Sequence, residues 1–166
     1  MEHKFSPTIY YATIGSHDAV LTVASGDTVV TTTIDAGGWD VNGDQISPRG
    51  NPQTGPIFVE GAEPGDTLKV RFDKIWPNRA HGFCSPRIAP HILEPGDPSN
   101  VANAERLQFR LDFESNTATV DGGPGSMADL TVPIQPMLGC FGTAPARGQA
   151  ISTATSGPFG GNMDYK

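Results

Sequence analysis

The sequence predicts a mainly β fold, a sandwich or a barrel, with long loops rich in glycine and proline. Three observations carry that expectation. The clearest hydrophobic period is two rather than about 3.6, as on strands with one buried face. Clusters of turn-forming residues separate the apolar runs: Ser25-Gly26-Asp27, Glu63-Pro64-Gly65-Asp66 and Asp121-Gly122-Gly123-Pro124-Gly125. Glycine and proline supply 20 and 15 of the 166 residues, a load that weakens helix interiors.

The elements follow in chain order. Val20 to Val23, Thr28 to Ile34 and Ile57 to Val59 are short runs rich in β-branched residues, as strands favour. Leu68 to Asp73 alternates strictly, with Leu68, Val70 and Phe72 on one side and Lys69, Arg71 and Asp73 on the other. Arg106 to Phe113 repeats that alternation with four apolar residues on one side. Thr117 to Val120 and Leu130 to Ile134 complete the set. Val101 to Glu105 is the one weak helix candidate. Gly26-Asp27-Thr28-Val29 is echoed by Gly65-Asp66-Thr67-Leu68, a turn cue in which Asp and Thr bond nearby backbone. Pro77 to Ala104 reads as an irregular loop, long enough to be either a lid over a site or a surface insertion.

Bulk properties narrow the function. The chain is long enough to bury a core, and 37% of its residues are hydrophobic. A net charge of -7 at pH 7 counts against nucleic acid and anionic lipid as partners. No apolar run approaches the roughly 18 residues of a membrane span. Met1-Glu2-His3-Lys4-Phe5 shows no apolar core of a secretory signal. Cys84 and Cys140 are the only two cysteines, too few for a disulfide framework, and they fit a reducing cytoplasm at least as well as export. The expectation is an acidic, cytoplasmic protein.

Several constellations are candidates for chemistry. His81 and Cys84, with His91, form one loose trio; zinc takes roughly three or four protein ligands, usually from short-spaced pairs. A copper site would want a methionine at short range after Cys84, and none follows. Cys84 paired with His81 or His91 is a possible nucleophile, or else an exposed loop thiol. Asp35 stands where a strand runs into Gly37-Gly38, so it either serves a site or bonds the turn's backbone. The loop Asn51-Pro52-Gln53-Thr54-Gly55-Pro56 is rigid and rich in donors; Asn51 and Thr54 could orient a small polar ligand or close the loop on itself. Asn162 and Asp164 follow Gly160-Gly161, where close backbone approach is allowed. Carboxylates and amides gathered from different loops can bind a metal or activate water. No phosphate-binding loop, His-Glu-x-x-His or Gly-x-Ser-x-Gly elbow is present.

Three stretches closely resemble the acetamidase/formamidase family. They are Gly50-Asn51-Pro52-Gln53-Thr54-Gly55-Pro56-Ile57-Phe58-Val59-Glu60-Gly61-Ala62-Glu63-Pro64-Gly65-Asp66, then Pro136-Met137-Leu138-Gly139-Cys140-Phe141-Gly142-Thr143-Ala144-Pro145-Ala146, then Gly160-Gly161-Asn162-Met163-Asp164. Ser25 to Val29 with Thr33-Ile34-Asp35 is similar to the family's first strand and acidic turn. The matches run in family order from about residue 5 to the last residue.

The resemblance implies hydrolysis of short linear amides, such as formamide and acetamide, to carboxylate and ammonia. It also implies a jelly-roll-like β-sandwich, a cytoplasmic homo-oligomer and a divalent metal ion, zinc or calcium. Asp164 and Asp35 would hold the metal or its water, Asn162 would position the amide, and Asn51 and Thr54 would border the substrate. Phe159 and Cys140 depart from the family pattern, Cys140 as a small core residue. Family members continue into a second half with a Gly-Asp-x-His stretch and a Gln-Gly-Asp-Gly-Glu run, neither present here. The expected organisation is therefore a β-sandwich domain at 1–136, then a Gly-rich segment at 137–166 leading into such a half. The alternative is a non-catalytic β-sandwich module that requires a second chain.

Overall fold

A computed structural model of the chain describes residues 1–84, 106–123 and 125–165, the side chains of Ser126, Asp164 and Tyr165 excepted. Most of the expected 77–104 loop, with His91 and the helix candidate at 101–105, lies outside the described residues. The fold is mainly β. In chain order the strands are β1 (Glu2–Phe5), β2 (Tyr10–Tyr11), β3 (Thr13–Ile14), β4 (Leu21–Val23), β5 (Thr28–Thr31), β6 (Gln53–Thr54), β7 (Ile57–Val59) and β8 (His81–Cys84). They continue with β9 (Leu107–Asp112), β10 (Thr117–Asp121), β11 (Thr131–Pro133), β12 (Leu138–Gly142), β13 (Ile151–Ser152), β14 (Ser156–Gly157) and β15 (Gly160–Tyr165). A single 3-10 turn, Gly125–Met127, is the helical element among the described residues. The chain divides into two compact units, Met1–Asn78 with Pro136–Lys166, and Arg79–Gln135.

The first unit is built from small sheets. β1 pairs in parallel with β5, Glu2 opposite Thr28 through Phe5 opposite Thr31. β4 pairs in parallel with β7, Leu21 opposite Ile57. β2 and β6 are antiparallel, Tyr10 opposite Thr54, and so are β3 and β13, Ile14 opposite Ile151. β15 lies between β12 and β14. Strands β12 to β15 belong to the same unit as residues 1–78, with β13 paired to β3. Ile14, Val23 and Thr153 are buried there.

The echoed turns share one geometry, as their sequence suggested. Asp27 N donates to Ala24 O at 3.1 Å while Ala24 N donates to Asp27 Oδ2 at 3.0 Å. Asp66 N donates to Glu63 O at 3.0 Å while Glu63 N donates to Asp66 Oδ2 at 2.9 Å. A β strand follows only the first. Leu68 to Asp73, the sharpest alternation in the sequence, forms no strand, which corrects that expectation. Alternation makes a strand only where a partner ladder and an apolar surface are on offer. Leu68 and Val70 are instead exposed, at 42% and 52%. Phe72 finds an edge-to-face contact with Phe141, centroids 5.5 Å apart.

The second unit holds one antiparallel sheet in the order β11-β10-β9-β8. Its period-two reading holds: Leu107, Phe109 and Leu111 are less exposed than the residues between them, and Ala118 and Val120 are buried opposite Leu111 and Phe109. Asp112 Oδ1 closes the β9–β10 turn by accepting from Glu114 N at 2.9 Å and Ser115 N at 3.2 Å.

Candidate active site

Asp35 follows β5 and starts a glycine turn. Its Oδ1 accepts from Gly37 N at 2.9 Å and Trp39 N at 3.0 Å, and its carbonyl accepts from Gly38 N at 2.9 Å. The carboxylate therefore shapes the turn, one of the two roles open to it in the sequence. The turn is tied to the next candidate loop, because Gly50 N and Asn51 N reach Ala36 O at 3.2 and 3.3 Å.

Asn51 adopts the left-handed conformation, φ 56°, which Asn tolerates better than most residues. That geometry lets its side chain bridge to the far end of the chain, with Nδ2 donating to Thr153 O at 3.2 Å. Thr153 is the hub. It is fully buried, and its hydroxyl lies 2.7 Å from Gly50 O and 3.0 Å from Ala12 O. Its carbonyl also accepts from Cys140 Sγ at 3.3 Å. Burial pushes the Cys140 thiol above its ordinary value, and a hydrogen bond with Gln53 partly opposes that. Gln53 in turn donates to Asn51 O at 2.8 Å. Cys140, read from sequence as a small core residue, is half-buried and belongs to this network.

Thr54 sits elsewhere. It pairs with Tyr10, and its hydroxyl donates to Thr32 O at 3.0 Å. Thr54 thus fastens the strand β2 side of the unit to the segment after β5.

The Gly160-Gly161 pair allows the close approach expected of it. At Gly161, φ 117°, a Cβ would lie 2.0 Å from Thr155 O; at Gly160, φ 106°, it would lie 2.3 Å from Phe141 O. Only glycine fits both the conformation and the space. The tight seat carries Asn162 to Thr155, with Asn162 N donating to Thr155 O at 3.3 Å and Asn162 opposite Cys140 across the β12–β15 ladder. Asn162 is exposed. Asp164 lies two residues further along β15, and its side chain is outside what is described.

Beside strand β2 lies a cavity of about 310 Å³ that sequence reasoning did not identify. Tyr10, Thr32, Asp40 and Asn78 line it together with apolar Ile34 and Ile46, among others. The Asp40 carboxylate accepts from Asp44 N at 2.9 Å, Asn42 N at 2.8 Å and Asn42 Nδ2 at 3.2 Å. These bonds, that from Asp44 N first, hold it below the usual carboxylate range. Burial first, and then the Asp40 charge, raise the Tyr10 phenol above its ordinary value. The Asp40-x-Asn42-x-Asp44 spacing is a cue to a self-capped loop, but nothing in it announces a cavity.

The structure thus joins Asn51, Cys140 and Asn162 around Thr153 to Thr155, and joins the Asp35 turn to the Asn51 loop. It places Thr54 against Thr32. His81 and Cys84, three apart on β8, fall on opposite faces by strand alternation. Among the described residues no three His, Cys, Asp or Glu side chains are gathered, and the Asp35 carboxylate serves its own turn. The described residues alone therefore do not fit the donor set of a zinc or calcium ion. No protein-family model matches the chain, and no curated protein sequence matches it.

Proposed function

We propose that the chain is an amidase that hydrolyses short linear amides, of the formamide and acetamide type, to carboxylate and ammonia. The carrying observation is convergence. The three stretches on which the resemblance rests meet at Thr153 to Thr155 through Asn51 Nδ2, Cys140 Sγ and Asn162 N. Asn51 and its acceptor are 102 residues apart, so local turn preferences do not account for the bond. A shared site does.

On this reading Asp164 activates the attacking water, and Asn162 holds the amide while negative charge builds on its oxygen. Asn51 and Thr54 fix the loops that border the substrate, and Asp35 fixes the turn beside them. A jelly-roll-like sandwich, a cytoplasmic location and assembly as a homo-oligomer or with a complementing second half belong to the same proposal.

Ammonia release from formamide and acetamide tests it, using the chain alone and mixed with a half that carries the Gly-Asp-x-His and Gln-Gly-Asp-Gly-Glu stretches. A chelator arm tests the divalent ion, zinc or calcium, that the resemblance implies. Release that is lost in a folded Asp164→Asn variant supports the proposal; no release in any arm contradicts it.

A second reading rests on a different observation. In it the chain is a non-catalytic β module that works only against a second chain, and Phe58, Val70, Trp76 and Met137, exposed at 52%, 52%, 44% and 43%, are the apolar side chains it would offer. Folded protein that releases no ammonia, yet forms a stable complex with that half, favours it.

A further inference from the structure

The cavity beside strand β2, open to solvent along Thr32, Val41 and Ile46, is not assigned by the resemblance, and polar and apolar residues line it together. Its volume of about 310 Å³ suits a small molecule, at the low end of the roughly 300–1,000 Å³ typical of ligand pockets. One part of its lining is apolar, from Ile34 and Ile46, and another is polar, from Tyr10, Asn78 and Asp40. Asp40 cannot swing away freely, because Asn42 N, Asp44 N and Asn42 Nδ2 hold its two oxygens. The wall at Thr32 is pinned by Thr54, whose hydroxyl donates to the Thr32 carbonyl. A fixed negative charge beside a small, partly apolar cavity attracts cations and N–H donors and repels anions.

From this we infer that the cavity binds small molecules bearing N–H donors, neutral or cationic, and rejects carboxylates. The inference rests on the amidase reading for the identity of the ligand: the cavity admits the neutral amide and disfavours the carboxylate that hydrolysis produces. Thr54 acts here as a positioning residue, through Thr32.

The test is a titration of the full chain with acetamide, methylammonium and acetate, followed by backbone amide chemical shifts in NMR. Acetamide and methylammonium are expected to shift Thr32, Ile34 and Asp40 saturably, and acetate to leave them unchanged. Asp40→Asn is expected to weaken methylammonium by up to about fivefold, the reach of one solvent-screened charge contact, and to relieve the exclusion of acetate. Ile46→Trp, at a half-exposed wall position, is expected to abolish binding of both ligands with the fold intact. Saturable shifts elsewhere, equal binding of acetate and acetamide, or an Asp40→Asn variant with unchanged preferences would overturn the inference. Binding in the cavity without any ammonia release contradicts the amidase reading and leaves the inference standing. Ammonia release without binding in the cavity does the reverse.

Discussion

Asn51 and Thr153 are joined by a hydrogen bond from Asn51 Nδ2 to the Thr153 carbonyl, 3.2 Å long and spanning 102 residues of sequence. Around that bond the fully buried Thr153 hydroxyl meets the carbonyls of Gly50 and Ala12. Replacing the hydroxyl with a methyl group removes its bonds to Gly50 O and Ala12 O, although Ala12 O keeps Thr153 N at 3.2 Å, at a cost of roughly 0.5–1.5 kcal/mol. Thr153→Val is therefore expected to lower unfolding stability by that amount, and Thr153→Ser by clearly less. Denaturant unfolding measures both. Equal losses would mean that packing, not the hydroxyl, holds the hub.

At Gly161 a Cβ would collide with Thr155 O, in a backbone conformation that side chains rarely adopt. Gly161→Ala is expected to destabilise the protein by at least roughly 1–3 kcal/mol and to displace Asn162 from Thr155. Thermal unfolding reads the first effect, and the amide shift of Asn162 the second.

Asp35 offers a contrast between chemistry and scaffold. Its Oδ1 accepts two backbone N–H groups, a task that an asparagine oxygen also performs. Asp35→Asn should keep stability within about 0.5 kcal/mol of wild type, and Asp35→Ala should lose about 1 kcal/mol. Comparable unfolding midpoints for the Ala and wild-type proteins would count against the turn role.

Acid stability should depend on Asp27. The Met1 ammonium first, then His3 at 2.8 Å and Ala24 N at 3.0 Å, hold its carboxyl well below the ordinary range. Because the folded-state value is depressed, the stability it contributes is complete above the unfolded value of about 3.9. It is lost as pH falls from there toward the folded value, since the unfolded chain takes up the proton first. Thermal midpoints between about pH 2 and 5 should therefore fall more steeply for wild type than for Asp27→Asn. Parallel curves would remove Asp27 from the account.

The two thiols should react unequally. Cys84 is exposed, whereas Cys140 is half-buried, donates to Thr153 O and has its thiol pushed upward by burial. The thiolate is the reactive form, so alkylation near neutral pH should label Cys84 first. Mass spectrometry of the labelled peptides reads the order.

Much of the fold was legible where local pattern and tertiary context agree. Ile57–Val59 and Leu107–Asp112 follow from β-branched content and alternation, because each finds a ladder partner. Leu68 to Asp73 has the pattern without the partner, and alternation cannot report what a strand will meet. β12, β14 and β15 were hidden for the opposite reason. Their glycines read as loop, yet at Gly160 and Gly161 the missing side chain is what lets strands approach. For the site, Asn51 and Asn162 stood out by residue type and neighbouring glycines. Thr153 did not, since a lone threonine between small residues carries no sign of its three distant partners.

Whether these residues serve amide hydrolysis is decided by ammonia release. Wild type and a folded Asp164→Asn variant are compared on formamide and acetamide, each with the complementing half present. Ammonia is expected from wild type and none above background from the variant. Equal release from both, or none from either, would contradict it.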